Sequence, residues 1–111
     1  MKIREPAVAG SFYPEDREEL KNIIRRFIES VPLEDFPDLK GIISPHAGYI
    51  YSGPIAAFGY KQLKNIDYKN PIKVIIMAPS HYAYFKGASV GLFDAYKTPL
   101  GFVNVSKDAR N

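Results

Sequence analysis

The chain has 111 residues, of which 46% are hydrophobic, 24% charged and 14% aromatic. This composition is typical of a soluble globular protein with at most one domain, and it argues against disorder over most of the length. No apolar run reaches the roughly 18 to 20 residues of a membrane helix, and residues 1–5 lack the apolar core of a secretory signal, so we expect a cytoplasmic protein without a membrane partner. The absence of cysteine excludes disulfides, cysteine-based zinc sites and a thiolate nucleophile within this chain.

The net charge of +3 is divided unevenly. Residues 1–40 carry seven basic and nine acidic side chains, whereas residues 41–111 carry eight and three. The second part therefore favours an anionic ligand or partner. Its basic residues are spread singly and do not cluster as they do in a nucleic-acid footprint, so we do not expect nucleic-acid binding.

The first predicted helix follows an N-terminal stretch, residues 4–14, whose prolines and glycine favour an extended segment with a turn. Asp16 and Glu19 have the spacing of a capping box at the helix start, and Pro32 ends the helix. Residues 33–39 are an acidic connector. The apolar residues recur with the spacing of one buried helix face, at Leu20, Ile23, Ile24, Phe27, Ile28 and Val31.

A strand–helix–strand unit is predicted next. Residues 41–44 are a short strand-like run ended by Pro45, and residues 74–78 are an apolar run ended by Pro79, typical of a strand buried on both faces of a parallel sheet. Between them, Ser52 is the expected N-cap of a second helix. Such an order predicts a right-handed parallel crossover.

Two more strands, residues 88–93 and 102–105, are predicted around a turn at 97–101. The expected fold class is α/β, with a mostly parallel sheet flanked by helices, a βαβ core and a C-terminal hairpin. A strand buried on both faces needs neighbouring strands and covering helices, and 111 residues are few for such a sheet, so we expect residues 1–111 to form an incomplete domain. We expect a further chain or a C-terminal segment to complete it.

Both histidines of the chain come just after a proline that ends a predicted strand. His46 follows Pro45 directly, and His81 lies two residues after Pro79. Ligands of open α/β sheets bind at the carboxyl ends of the strands. Adjacent strands lie about 5 Å apart, so two imidazoles that leave there can converge on one metal ion. The alternative for each histidine is a loop residue satisfied by backbone hydrogen bonds.

Aromatic side chains surround the predicted strand ends, where they either line a pocket for a planar ligand or cover exposed edges of the core. They are Phe12, Tyr13, Tyr49, Tyr51, Tyr82, Tyr84 and Phe85. We predict a ligand pocket formed by Phe12, Tyr13, Tyr49, Ser80 and Tyr82. No catalytic residue is assigned.

Four segments closely resemble the N-terminal part of the Memo family, which is found in bacteria, archaea and eukaryotes: residues 4–14, 44–53, 78–81 and 96–101. That family in turn resembles class III extradiol ring-cleavage dioxygenases, whose site holds a non-haem ferrous ion on two histidines and a carboxylate. The resemblance implies that His46 and His81 are two of the pocket histidines, and that Phe12 stands where eukaryotic relatives carry Trp. A later Asp-x-x-His segment and a cysteine of the family's pocket have no counterpart in this chain.

Three functional interpretations stay open. In the first, a dioxygenase-like enzyme binds Fe(II) or another divalent metal through His46 and His81, and the aromatic side chains stack on a catechol-like substrate. In the second, the same pocket is a non-catalytic binding module for an anionic aromatic or phosphotyrosine-type ligand, a class to which the Memo family has been linked. In the third, the chain is an inactive fragment, and a cooperative urea transition would argue against it.

Overall fold

The structure is a computed structural model that describes residues 1–110, with the side chains of residues 1–108; Asn111 lies outside the described residues. Two helices and a mixed three-stranded sheet confirm the α/β fold class. In chain order the elements are β1 (Ile3–Arg4), α1 (Arg17–Glu29), α2 (Tyr49–Lys61), a 3₁₀ helix (Gln62–Asn65), β2 (Ala95–Thr98), β3 (Gly101–Asn104) and a second 3₁₀ helix (Lys107–Arg110). Neither α-helix of the described chain has the length and apolar character of a membrane span.

Helix α1 begins and ends as its sequence predicts. The Asp16 carboxylate caps it, with Oδ2 accepting the backbone N–H of Glu19 at 3.0 Å. Leu20 and Val31 are the most buried residues of the predicted apolar face, with 3% and 6% of their surface exposed. The helix ends at Glu29, ahead of Pro32, which lacks the N–H needed to continue it.

Helix α2 begins earlier than predicted. Its N-cap is Gly48, so the prediction of Ser52 as the cap is wrong. Ser52 lies inside the helix, where its hydroxyl donates to the carbonyls of Ala47, at 2.8 Å, and Gly48, at 3.4 Å. A serine hydroxyl that donates to carbonyls of the preceding turn can lie inside a helix and does not have to cap it. The helix therefore starts three residues after His46.

Close packing joins the two helices. At Gly53 of α2, a Cβ atom would lie 2.5 Å from Cε2 of Phe27 in α1, so the absence of a side chain lets the helices approach. The buried Gln62 adds a polar connection, because its amide group donates to the carbonyls of Pro32 and Phe58 and accepts the backbone N–H of Glu34. The connector after α1 is thus attached to the end of α2.

The sheet has the order β1–β2–β3, with β1 and β2 parallel and β2 and β3 antiparallel. The C-terminal hairpin is confirmed, but its first strand is Ala95–Thr98 and the prediction of a strand at 88–93 is wrong. The pairing of Thr98 with Gly101 leaves only Pro99 and Leu100 in the turn, and so brief a turn fixes the register.

The predicted strands at 41–44 and 74–78 are not formed, and with them the strand–helix–strand crossover is absent from residues 1–110. The only parallel pair of strands in that range joins β1 to β2, which confirms the parallel-sheet prediction in part. An apolar run signals burial on both faces, but a ladder also requires a partner strand, and no described strand pairs with either segment. Val74 and Ile75 are instead 74% and 88% exposed.

Candidate metal and ligand site

The imidazole rings of His46 and His81 lie side by side. Their centroids are 5.3 Å apart and the ring planes are tilted by 43°. Both side chains are exposed, and each follows one of the two apolar segments that were predicted as strands. Although those segments do not form a ladder, they bring the two rings to one place.

The N-terminal turn holds the start of α2 beside His46. Gly10, with a φ of 87°, allows a tight turn in which its N–H donates to the Tyr13 carbonyl at 2.7 Å. The carbonyl of Phe12 then accepts the backbone N–H of Tyr49, the first residue of α2, at 2.8 Å. This bond satisfies one of the donors that a helix start leaves unpaired.

An apolar cavity of about 650 Å³ opens between this turn, α1 and α2. Its volume is within the range of small-molecule sites. The lining contains aliphatic and aromatic side chains with few polar groups: Val8, Phe12, Tyr13, Ile24, Phe27, Ile28, Pro45, His46, Ala47, Tyr49, Ser52, Gly53, Ala56, Ala57, Tyr60, Lys61 and Lys64. His46 thus belongs both to the histidine pair and to the cavity wall.

The environment of the Tyr49 phenol differs from water. Burial raises its pKa above the ordinary value of 10.0, and the nearby phenols of Tyr60 and Tyr13 act in the same direction. Its ring packs on that of Tyr13 with centroids 5.5 Å apart and an interplanar angle of 49°. At neutral pH the Tyr49 phenol is therefore a protonated hydrogen-bond donor in a mostly apolar wall.

The structure brings together some of the predicted pocket residues and leaves others apart. Phe12, Tyr13 and Tyr49 line the cavity with His46. Ser80 and Tyr82 are not part of that lining. The Ser80 hydroxyl donates to the carbonyl of Ala83 at 2.6 Å, and the Tyr82 side chain is fully exposed.

Sequence reasoning missed the contribution of the two helices to this cavity. Phe27 was expected only as a core residue, and Tyr60, Lys61 and Lys64 were not expected to line a site. The signal was present in the helical period, because Tyr60 lies eleven residues after Tyr49 and so returns to nearly the same face of α2. Lys61 also donates to the carbonyl of Ile28 at 3.0 Å, so its ammonium group joins the two helices.

The histidine pair fits two positions of a metal site. Two imidazoles that share one ion through bonds of about 2.0 to 2.1 Å have ring centroids within roughly 6.5 Å of each other, and the observed separation of 5.3 Å meets this condition. In the described part of the chain, however, no cluster of three His, Cys, Asp or Glu residues is present. Among the described residues, the two rings are therefore the candidate metal ligands.

Comparison with known proteins identifies similar chains. The profile of a family described as Memo-like protein matches residues 4–111. A MEMO1 family protein of Aquifex aeolicus is 42% identical over 110 residues, which are 99% of this chain and 39% of the relative. A MEMO1 family protein of Nitrosopumilus maritimus is 39% identical over 112 residues, covering 96% of this chain and 40% of the relative. The chain thus spans about two fifths of the length of these relatives.

Proposed function

The chain belongs to the Memo family, and we propose that it supplies His46 and His81 as two ligands of a divalent metal ion, ferrous iron first, in a dioxygenase-like pocket. The separation of 5.3 Å between the two imidazole rings is the observation that carries this proposal. Imidazole nitrogen suits iron as well as zinc and copper, and two histidines with open positions resemble part of the facial triad of non-haem iron oxygenases. A ferrous site also suits the reducing cytoplasm expected from the sequence.

When bound, ferrous iron would supply the redox chemistry of ring cleavage. The protein's own side chains have separate tasks. The imidazoles of His46 and His81 would hold the ion, while Phe12, Tyr13 and the apolar cavity wall would accept a planar ring. The Tyr49 phenol, which lines the cavity and is protonated at neutral pH, would donate a hydrogen bond to a ligand oxygen.

Metal content of variants tests the proposal. The chain is reconstituted anaerobically with Fe(II), desalted and assayed by elemental analysis. Wild type is expected to retain up to one iron per chain, and the double variant His46→Ala/His81→Ala is expected to lose it. Asn70→Ala, at an exposed site outside the cavity lining, is the matched control and should retain the wild-type content. Equal iron in the double variant and the wild type would refute the assignment.

A second candidate function is metal-independent binding of an anionic aromatic ligand of the phosphotyrosine type. Lys61 and Lys64 line the same apolar cavity as Tyr49, so cationic groups stand next to a surface that accepts a ring. The excess of basic side chains in residues 41–111 favours the same ligand charge.

Titration with phenyl phosphate in excess chelator separates the two candidates. Binding that persists without metal, and that weakens in Lys64→Gln but not in the exposed control Lys69→Gln, supports the binding module. Binding that disappears on chelation supports the metal pocket. The titrations with and without chelator use the same chain, so each outcome favours one of the two candidate functions.

A further inference from the structure

The cavity between the N-terminal turn, α1 and α2 is long relative to its width. Helix α2 contributes to its wall from Tyr49, the first residue of the helix, to Lys61, the last. At the helical rise of about 1.5 Å per residue, these two residues lie about 18 Å apart along the helix. The cavity volume of about 650 Å³, spread over that length, gives a mean cross-section of roughly 36 Å². A compact ring therefore fills the cavity only in part, whereas an extended chain matches its shape.

The middle of the cavity wall favours a hydrocarbon ligand. The hydroxyl of Ser52 is already engaged, since it donates to the carbonyls of Ala47 and Gly48. The other lining residues of this middle part are small on α2 and large and apolar on α1: Gly53, Ala56, Ala57, Ile24, Phe27 and Ile28. Methylene groups gain free energy when they leave water for such surroundings.

One end of the cavity carries an unpaired positive charge. The lining contains two lysines and no carboxylate. The ammonium group of Lys61 is engaged, because it donates to the carbonyl of Ile28 at 3.0 Å. The exposed Lys64, in contrast, forms no ion pair with a described side chain. A single available ammonium group at the end of an apolar wall balances a single negative charge.

We propose that this cavity binds a long-chain carboxylate. The hydrocarbon chain lies along α2, the carboxylate accepts a charge-assisted hydrogen bond from Lys64, and the far end of the chain reaches Tyr49. Such a ligand differs from an aryl phosphate, whose charge is next to its ring. The proposal goes beyond the metal function and requires no metal ion.

Calorimetric titration in EDTA with hexanoate, decanoate and tetradecanoate tests the length of the site, with each probe below its critical micelle concentration. We expect one ligand per chain, bound at least tenfold more tightly with each extension by four carbons. A fully buried methylene is worth roughly a fourfold change in affinity, so a tenfold gain requires only partial burial of the added carbons. Equal affinities for the three carboxylates would overturn the proposal.

A substitution in the middle of the wall tests where the chain lies. Ala56→Phe fills the cavity between its ends, so it should remove the gain in affinity from hexanoate to tetradecanoate. Ile55→Phe is the matched control, because Ile55 is 63% exposed and is not part of the lining. This variant should bind tetradecanoate as the wild type does. Unchanged binding of tetradecanoate by a folded Ala56→Phe chain would overturn the location.

The head group is tested with Lys64→Gln, which needs no change in the apolar wall. It should weaken decanoate about fivefold, the upper range for an exposed ion pair, and leave binding of the uncharged decanol unchanged. Lys69→Gln, at an exposed site, is the control and should bind both probes as the wild type does. An equal affinity of Lys64→Gln and wild type for decanoate would overturn the assignment of the carboxylate. Because EDTA is present throughout, a failure of the metal assignment does not affect these titrations.

Discussion

His46 and His81 are 35 positions apart in the chain, yet their imidazole rings lie with centroids 5.3 Å apart. Two similar local sequences produce this proximity, since each histidine follows an apolar segment that ends in proline. In both segments the histidine follows the carboxyl end, and these two ends lie close together. The two residues are therefore tested both singly and together by mutagenesis.

If the two histidines share an ion, their substitutions should not be additive. Either His46→Ala or His81→Ala alone should weaken Co(II) binding by at least about tenfold, since losing even an outer partner of a metal ligand costs that much. The double variant should then be little weaker than the single ones. Competition titration with a chromogenic chelator measures the three affinities. Additive losses would instead indicate that the two histidines contribute to metal binding independently.

The parts of the candidate site that depend on local sequence could be predicted. The parts that depend on packing between helices could not. The proximity of the two histidines was expected from two proline-ended runs, although the strands expected there are not formed. The cavity is different, because its wall includes Phe27 of α1 and Tyr60 of α2. Which helices pack together depends on long-range contacts, such as that of Gly53 with Phe27, that no local pattern encodes.

The difference between local and long-range determinants also explains which elements of the fold were predicted correctly. Helix α1 was predicted with its cap because Asp16 and the apolar period are local features. Strand pairing is not local: residues 74–78 have the composition of a buried strand, but among residues 1–110 the ladders join β1 to β2 and β2 to β3. The start of α2 was missed because a serine hydroxyl suits a cap position and a bond to the preceding turn equally well, and Ser52 donates to the carbonyls of Ala47 and Gly48.

Gly53→Ala should destabilise the chain by about 1 to 3 kcal/mol, the usual cost of overpacking. The added Cβ would lie 2.5 Å from Cε2 and 2.9 Å from Cδ2 of Phe27, so the ring or the helix must move. Gly59 of the same helix is the matched control, because its added Cβ would meet only Ile42, at 3.8 Å. Gly59→Ala should gain up to about 1 kcal/mol from helix propensity. Urea denaturation compares the two, and equal stability of the variants would contradict the close helix contact.

Asp16→Ala should lower the free energy of unfolding by about 1 kcal/mol, the typical value of an N-cap. The carboxylate of Asp16 accepts the N–H of Glu19 at 3.0 Å, and alanine offers no acceptor for it. Asp16→Asn keeps a side-chain oxygen at this position and should retain most of the stability. Far-ultraviolet circular dichroism during urea denaturation measures the loss. If asparagine were as destabilising as alanine, the cap would not be the cause.

Tyr49 should make the chain less stable in alkaline solution. Burial raises its pKa in the folded state, with Tyr60 and Tyr13 adding to the effect, so the folded chain holds the phenolic proton more tightly than the unfolded chain. The stabilisation is complete below pH about 10 and is lost as the pH rises through the raised folded pKa. Tyr49→Phe should show a shallower loss of stability above pH 10. Tyr82→Phe alters a fully exposed side chain and should keep the wild-type profile, as followed by urea denaturation at a series of pH values.

Gln62 should be the most sensitive polar side chain of the helical part. It is buried, with 6% of its surface exposed, and its amide donates to the carbonyls of Pro32 and Phe58 at 3.0 and 2.9 Å while accepting the N–H of Glu34 at 2.7 Å. Gln62→Ala leaves these groups without their partner and should cost about 2 to 3 kcal/mol. Asn65→Ala is the control, since the half-buried Asn65 donates only to the carbonyls of Glu34 and Gln62, and its loss should cost about 1 kcal/mol.

Gln62→Glu separates the donor and acceptor roles of this side chain. The carboxylate keeps an acceptor for the Glu34 N–H but brings a negative charge against the carbonyls of Pro32 and Phe58, so at neutral pH it should be at least as destabilising as alanine. Protonation at acidic pH restores one donor and should narrow the difference from wild type. Urea denaturation at pH 7 and pH 4 measures this, together with amide exchange at Glu34. A Gln62→Ala chain within about 0.5 kcal/mol of wild type, with unchanged exchange at Glu34, would show that the connector is held by apolar contacts instead.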